Sequence, residues 1–327
     1  MIYNFNLQLF AANTNTTASS TVTPEMRAYY DKNLIRTAGP ALVHDQFAQK
    51  RNVPRNGGTS VQFRAFAALP KATTPITEGV TPDGQSLTVT AVTSDLEQYG
   101  AYVTVSDRFD VEAIDPILVE TTSLIGRQMG VTLDTVTRDI INNGTSVAYA
   151  PKVSGGTVTP VTARADLDNT AVLTVDVVRK VVAMLRASNA PAFEDGYYVG
   201  IIHPYAANDL MKDEEWVDAY KYGNAENLHH GEIGRIAGVR FVQSSEAKIF
   251  TGAVFSTLVF GKDAYGTTEI EGGGSEVIVK PMGAGEDPLN QRGTVGWKAT
   301  KTAAILVPSY IIRIESKSAD FASATPN

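Results

Sequence analysis

The chain has 327 residues, of which 43% are hydrophobic, and it carries a formal net charge of −7. A chain of this length can bury a large core, and we expect it to form two lobes. It has no cysteine, which excludes disulfides and thiolate metal sites and fits assembly in a reducing cytoplasm. No apolar run approaches the roughly 18 residues of a membrane span, and the first ten residues lack the basic start of a signal peptide.

Charge is unevenly distributed along the first third of the chain. Residues 24–71 contain eight Lys or Arg against three acids, whereas residues 72–120 contain nine acids and only Arg108 as a cation. Two readings stay open. Each segment is either a solvated face, or the two pair between neighbouring copies of the chain and set their register.

The N-terminal part begins with a polar arm. Residues 11–23 are of low complexity and offer nothing to pack. A Thr-Pro-Glu start at Thr23 then predicts a helix that ends near Gly39, and a second short helix is predicted over residues 41–50.

After Gly57 and Gly58 the pattern changes to that of a hairpin. Alternation predicts a strand over residues 60–69, a turn-rich excursion follows over 70–84, and residues 85–94 return as the partner strand. Residues 99–106 form a third strand. We interpret residues 55–107 as a long two-stranded hairpin with an extended tip. Such a hairpin is marginal alone, and no other part of the chain is an obvious support for it.

One long helix is predicted over residues 115–143. Asp115 is a good N-cap, Pro116 suits the first helical position, and Gly144 ends the helix. Its apolar face is formed by Leu118, Ile125, Met129, Leu133, Val136 and Ile140.

The opposite face of this helix is predicted to carry its charges. They are Glu120, Arg127, Asp134 and Arg138, with Asp134 and Arg138 spaced for an i,i+4 ion pair. Gly126 and Gly130 are either tolerated weak points or places where another backbone crosses closely, and the sequence leaves both readings open.

The second half alternates helices and strands. Residues 146–162 are predicted as a hairpin or loop, and Thr174 caps a helix over residues 175–187. The continuous apolar run at 196–203 predicts a buried strand. Helices then start at Pro204 and Asp213, and strands are predicted over 238–243 and 257–260, which together indicate a compact α+β or α/β lobe over residues 174–272. Strands at 276–280 and 294–316 and a polar tail, residues 317–327, complete the chain.

Catalytic motifs are missing from the sequence. It contains no phosphate-binding loop, no HExxH and no GxSxG. Asp166 and Asp168 are spaced like cation ligands but lack the glycine and distal glutamate of a calcium loop. His203 is predicted to be a hydrogen-bonded structural histidine, and His229 and His230 a surface pair. We therefore predict no enzyme, no cofactor and no metal, with Trp216 and Trp297 in the core.

The order of parts, and several short motifs, resemble the Hong Kong 97-like major capsid proteins of tailed phages. The start NLQLFA at residues 6–11 is similar to that of many phage capsid proteins. A group of motifs resembles the core of the subfamily named after the major capsid protein of phage N-four: IHP at 202–204, NDL at 208–210, GEIG at 231–234 and GVRFV at 238–242. A second group of motifs resembles the C-terminal signature of the same subfamily: DPL at 287–289, QRG at 291–293 and GWK at 296–298, followed by Ala303, Ile305 and Leu306.

This resemblance implies an α+β, Hong Kong 97-like capsid fold with named parts. They are an N-terminal arm (1–53), an E-loop hairpin (54–106), a P-domain (107–173) with the spine helix 115–143, an A-domain (174–272), and P-domain return strands with a C-terminal tail (273–327). The E-loop would lie across a neighbouring subunit, which supplies its support. The interface would then include the residues Arg51, Arg55, Arg64, Phe66, Lys71, Glu78, Asp83 and Glu97.

The resemblance also implies function and partners. The chain would self-assemble into hexamers and pentamers of an icosahedral head around double-stranded DNA, which it would contact non-specifically. It would meet a portal, and scaffold or decoration proteins, in a virion assembled in the host cytoplasm, with no membrane. We expect no fused scaffolding segment. Some relatives cross-link through an E-loop lysine, but Lys71 lacks identified Asn and Glu partners and is expected to be a surface residue.

Two other function classes remain as alternatives. Thr-, Gly- and Val-rich strands are also found in β-rich surface or tail-associated binding modules, although the long helix argues against that class. A hydrolase would have to use Asp166, His203, His229 and Glu232.

Overall fold

The computed structural model describes most of the chain after residue 41, namely residues 42–53, 58–66, 69–76, 78–79, 81, 83–108, 117–221, 234–270, 275–283 and 287–327. The helix predicted from Thr23, and most of the predicted N-terminal arm, lie outside these residues. The chain divides into two compact units. The first comprises Met1–Leu42, Gln98–Thr132 and Gly273–Thr300, and the second Val43–Glu97, Leu133–Gly272 and Lys301–Asn327.

The helices and strands within the described residues are as follows. The α-helices are α1 (Ile117–Asn142), α2 (Val175–Ala187), α3 (Pro204–Met211) and α4 (Glu214–Lys221). The strands are β1 (Gln49–Val53), β2 (Ser60–Phe66), β3 (Val89–Asp95), β4 (Glu97–Ser106), β5 (Val147–Tyr149), β6 (Lys152–Ser154), β7 (Thr157–Thr159), β8 (Tyr198–Ile202), β9 (Arg235–Ile236), β10 (Val239–Gln243), β11 (Ile249–Phe250), β12 (Val254–Phe260), β13 (Tyr265–Ile270), β14 (Ser275–Lys280), β15 (Arg292–Lys301), β16 (Ala303–Ile305) and β17 (Ile311–Ser316).

A seven-stranded mixed sheet forms the centre of the second unit. Its order is β5-β17-β12-β8-β10-β9, with β11 paired to β12. β8 pairs in parallel with β10 and antiparallel with β12, and every residue of β8 is buried, as its continuous apolar run predicts. Gly200 is required in β8, because a Cβ there would stand 2.7 Å from the Phe241 ring.

Helix α2 covers one face of this sheet. Its bounds are those predicted, and the side chains expected to point inward, Val178, Val181, Val182 and Leu185, are all buried. They share one apolar cluster with residues of β8, β10, β12 and β17. This packing stabilises the helix far more than the intrinsic propensity of its β-branched residues would.

The first unit contains a smaller sheet of order β14-β15-β4. Trp297 in β15 is buried, as predicted, and its indole N–H donates to the Gln128 side chain at 3.3 Å. Gly100 in β4 lies so close to β15 that a Cβ there would stand 2.7 Å from the Trp297 carbonyl oxygen.

Helix α1 confirms the long helix, and two of the four residues on its predicted charged face are exposed as expected, but the other two are not. Asp134 and Arg138, expected on the exposed side as a pair, are both buried. Asp134 accepts hydrogen bonds from His44, and Arg138 donates to the Glu246 carbonyl oxygen at 2.8 Å. Each charge therefore has a hydrogen-bond partner from elsewhere in the second unit, which a helical pattern alone does not reveal.

The helix predicted over residues 41–50 is also wrong. Residues 44–48 form a turn, and β1 begins at Gln49 and pairs in parallel with β13. Buried hydrogen bonds fix the turn. The backbone N–H and the ring Nδ1 of His44 contact the Asp134 carboxylate, each at 2.7 Å. Asp45 accepts from Thr137 at 2.7 Å and forms an ion pair with Lys301.

The predicted 55–107 hairpin is shorter than expected, and its base does rest on its own chain. Only β2 and β3 pair, from Ser60 opposite Asp95 to Phe66 opposite Val89, whereas β4 belongs to the sheet of the first unit. Val61 and Phe63 are buried in an apolar cluster with Val53 and Ala304. Within the described residues of the hairpin, the tip is the part that lacks such support.

The C-terminal tail, residues 317–327, is held on the second unit. Phe321 stacks on Tyr205, with ring centroids 4.0 Å apart, and Asp320 pairs with Lys212. At the end of the chain, Asn327 donates from its side chain to the Ala247 carbonyl oxygen and accepts from the Ile249 N–H. A segment that reads as a polar tail is thus fixed by side-chain contacts.

Candidate assembly surfaces

The hairpin tip, residues 69–88, is the largest irregular segment between two paired strands. Every described residue of the tip is exposed, and none belongs to a strand. Two of its apolar side chains are especially open, Ile76 at 75% and Leu87 at 62% exposure. Large apolar side chains left in water are typical of a surface that another molecule covers.

Three of the predicted interface residues lie in this tip, and a fourth lies beyond the other end of the paired hairpin strands. Lys71, Glu78 and Asp83 are exposed within it, and Glu97 is exposed as the first residue of β4. Phe66 is the last residue of β2, but its side chain lies outside the description. Arg55 lies outside the described residues.

The structure brings two other predicted residues together. Arg51 of β1 and Arg64 of β2 line a cavity of about 360 Å³ in the second unit, which we call the basic groove. Lys50 lines it too, together with the apolar side chain of Phe63. The predicted acidic residues do not lie in this groove.

Sequence reasoning missed Lys50 and Phe63 as groove residues. Lys50 was assigned to a helix, so its place beside Arg51 on an exposed strand was not expected. Phe63 falls within the predicted strand 60–69, but the sequence does not say which surface its ring completes.

A second groove, of about 510 Å³, lies in the first unit. It is lined by Tyr102 of β4, which is 74% exposed, and by Trp297, Lys280 and Lys298 on β14 and β15. Tyr102 was not predicted as an interface residue, although a large aromatic side chain on the outer face of an alternating strand is a usable signal.

Of the candidate catalytic residues, the structure describes Asp166 and His203. His203 is the N-cap of α3, and its Nδ1 accepts a hydrogen bond from the Tyr205 N–H at 3.2 Å, which confirms its structural role. Burial lowers the pKa of His203, which keeps the ring neutral so that Nδ1 can accept. His229, His230 and Glu232 lie outside the described residues.

The Asp166 and Asp168 pair does not form a cation site. Asp168 accepts from the Thr170 hydroxyl at 2.6 Å and pairs with Lys152 at 3.2 Å. The hydrogen bonds from Thr170 lower the pKa of Asp168. Within the described part of the chain no group of three His, Asp or Glu side chains is arranged to hold a metal ion.

The helices of the described residues were compared with what a membrane-spanning helix requires. None of them combines the length and the apolar content that a membrane-spanning helix needs.

Comparison with known proteins decides the family. Residues 88–314 match the model of a family described as phage capsid protein. The chain belongs to this family. No curated protein matches this phage capsid protein in sequence.

Solved capsids share the fold of this phage capsid protein. The capsid of cyanophage P-SCSP1u matches with a TM-score of 0.64 at 16% identity, over 83% of this chain and 87% of that chain. The capsid of Ralstonia phage GP4 matches with a TM-score of 0.64 at 13% identity, over 86% and 89%. The head of Helicobacter pylori bacteriophage KHP40 matches with a TM-score of 0.59 at 14% identity, over 82% and 88%.

The predicted fold and function are therefore confirmed. The chain has an α+β, Hong Kong 97-like capsid fold. It is a major capsid protein, a structural component of the virion that self-assembles into the capsomers of an icosahedral head.

Proposed function

We propose that this capsid protein closes its shell by laying the hairpin tip, residues 69–88, across a neighbouring subunit in hexamers and pentamers. The observation that carries this proposal is the full exposure of the described tip, including Ile76 and Leu87, above a hairpin base that is already buried. The tip adds nothing to the core of its own subunit, so its apolar side chains gain burial only through a partner.

The parts of the chain divide the work of assembly. We propose an N-terminal arm over residues 1–53, an E-loop over 54–106, a P-domain over 107–173 and 273–327, and an A-domain over 174–272. The predicted interface residues Arg51, Arg55, Arg64, Phe66, Lys71, Glu78, Asp83 and Glu97 belong to the arm and E-loop contacts. A contact repeated by symmetry in every capsomer needs only modest affinity in each copy.

The role as a capsid protein also implies partners other than further copies of the chain. The head encloses double-stranded DNA and is completed by a portal, with scaffold or decoration proteins where they are present, and it assembles in the host cytoplasm. DNA contact is non-specific, because a chain with a net charge of −7 is not built as a sequence reader. The protein has no catalytic activity.

Deletion of residues 72–84 tests the proposal. The expected product is a folded subunit that forms no closed particles, because the covering segment is gone while the hairpin base is kept. Circular dichroism reports the fold, and electron microscopy with light scattering reports the particles. A matched variant replaces the same residues with a Gly/Ser segment of equal length. It should also form no closed particles, because it keeps the length of the tip but not its side chains. Normal particles from the deletion would contradict the proposal.

A further inference from the structure

The basic groove has the form of a receptor for an extended acidic segment. Its rim is formed by β1, an edge strand of the β1-β13-β16 sheet on which Lys50 and Arg51 are exposed, and by Arg64 on β2. Its apolar wall, Phe63, is fixed in place, because Gly266 lies so close that a Cβ there would stand 2.6 Å from the ring.

The charge of the groove is mainly positive. Its lining contains three cations, Lys50, Arg51 and Arg64, and one acid, Asp263. Neither Arg51 nor Arg64 forms an ion pair within the described part of the chain. Two guanidinium groups beside an apolar wall suit a carboxylate-bearing segment, because each can donate a bidentate pair of hydrogen bonds.

The hairpin tip has the complementary chemistry. Between Lys71 and Arg108 the chain has no cation, and the tip carries Glu78 and Asp83, both exposed. Ile76 beside them supplies an apolar side chain for the Phe63 wall.

The tip that enters the groove comes from another copy. The described residues of the tip are all exposed in their own subunit and leave its groove open. The groove lies along the paired part of the hairpin, at Phe63, Arg64 and Val92, whereas the tip leaves the hairpin beyond Phe66 and Val89.

We infer that the basic groove of one subunit binds the acidic hairpin tip of a second copy of this chain, with Arg51 and Arg64 facing Glu78 and Asp83. This inference rests on the proposed contact between the tip and a neighbouring subunit, and it names the surface that receives the tip. It makes the hairpin both donor and receptor, so that identical subunits join head to tail into closed rings.

Charge exchange tests this pairing. Arg51→Glu with Arg64→Glu should reduce closed particles at least tenfold, and so should Glu78→Arg with Asp83→Arg, because like charges then face each other. The chain with all four changes should recover particles. Normal assembly of either reversed pair, or failure of the four-fold variant to recover, would overturn the inference.

A second four-fold variant controls for net charge. It combines Arg51→Glu and Arg64→Glu with Asp176→Arg and Glu194→Arg, whose carboxylates are 81% and 92% exposed and lie outside the groove. This variant restores the net charge without restoring the pairing, so it should not assemble. Recovery here would show that net charge alone matters, and the inference would fail.

Disulfide trapping provides a measurement that does not depend on assembly yield. The natural chain has no cysteine, so a copy with Arg64→Cys can be mixed with a copy with Glu78→Cys and oxidised. A covalent dimer is expected if the tip lies in the groove. Its formation would be specific, because a disulfide needs the two Cα atoms within about 7 Å. The control partner, Lys180→Cys, should give none.

The outcomes separate this inference from the proposed function. If the deletion of residues 72–84 abolishes shells but neither exchange nor trapping succeeds, the tip binds elsewhere, and the groove has another occupant such as residues 1–41 or DNA. If the deletion assembles normally, the proposed function fails as well.

Discussion

Asp134 and His44 form a fully buried pair in the second unit, joined by two hydrogen bonds of 2.7 Å. Together with Asp45 and Lys301 they tie the start of the described chain to α1 and to the end of β15. Burial of a charged residue is strongly unfavourable unless a partner that pairs or hydrogen-bonds with it is buried beside it.

Asp134→Ala should therefore lower the free energy of unfolding by about 3 kcal/mol, because the His44 donors would stay buried without an acceptor. Urea unfolding of unassembled subunits, followed by the fluorescence of Trp216 and Trp297, measures the change. Asp176→Ala, which removes a carboxylate that is 81% exposed, should change it little. Equal effects of the two substitutions would contradict the role assigned to Asp134.

His203 makes stability depend on pH. Burial lowers its pKa in the folded state below the value of about 6.5 in the unfolded chain. As the pH falls through about 6.5 the unfolded chain takes up a proton that the folded chain does not, so stability decreases toward acid pH. His203→Asn should keep the helix cap and remove this part of the pH dependence.

The measurement is the urea midpoint of both proteins between about pH 7.5 and pH 5.5. The natural chain should lose more stability than the variant over this range. All other titratable groups are the same in both proteins, so the comparison isolates the contribution of His203. Parallel curves would show that His203 does not titrate as proposed.

At the scale of elements, the hairpin base depends on the close contact between Phe63 and Gly266. Gly266→Ala should destabilise the subunit by about 2 kcal/mol, because the new Cβ would stand 2.6 Å from a ring that the core already confines. Gly84→Ala in the tip is the matched control, since nothing lies within 4 Å of its Cβ position. Urea unfolding of both variants decides whether the close contact is what matters.

The elements also show where sequence patterns suffice. Helix α2 and the start of α3 at Pro204 were predicted to the residue, because local periodicity and a cap define them. The turn at residues 44–48 was not, since the bond from His44 to Asp134 spans 90 positions. The partner of β4 was missed for the same reason, because β15 lies almost two hundred residues further along the chain.

The same distinction applies to the candidate assembly surfaces. The resemblance to capsid proteins, together with the charge pattern, predicted Arg51 and Arg64 as interface residues, and the structure places both at one groove. The groove itself was beyond prediction, because its wall needs Phe63 held against Gly266 on a strand some two hundred positions away. Composition can indicate candidate interface charges, whereas the shape of the surface around them is a property of long-range pairing.

At the scale of the whole molecule, the central sheet needs the far end of the chain. β17 lies inside the seven-stranded sheet, antiparallel to β12 and parallel to β5, so both neighbours lose a partner without it. A chain that stops after Tyr310 should therefore fail to fold. A chain that stops after Ser316 keeps β17 and loses only the docked tail, so it should fold with reduced stability. Circular dichroism and urea unfolding distinguish the two, and a folded product from the shorter chain would contradict this view of the sheet.

The docked C-terminal residue has a consequence for solubility. Ile249 of β11 donates its N–H to the Asn327 side chain and accepts from the Asn327 N–H, so the outer edge of this short strand is occupied. Open strand edges invite pairing between molecules, and proteins made in very high copy number are the most exposed to such aggregation. We therefore expect the contact with Asn327 to protect this edge of β11 from sheet extension between subunits before they are built into a shell.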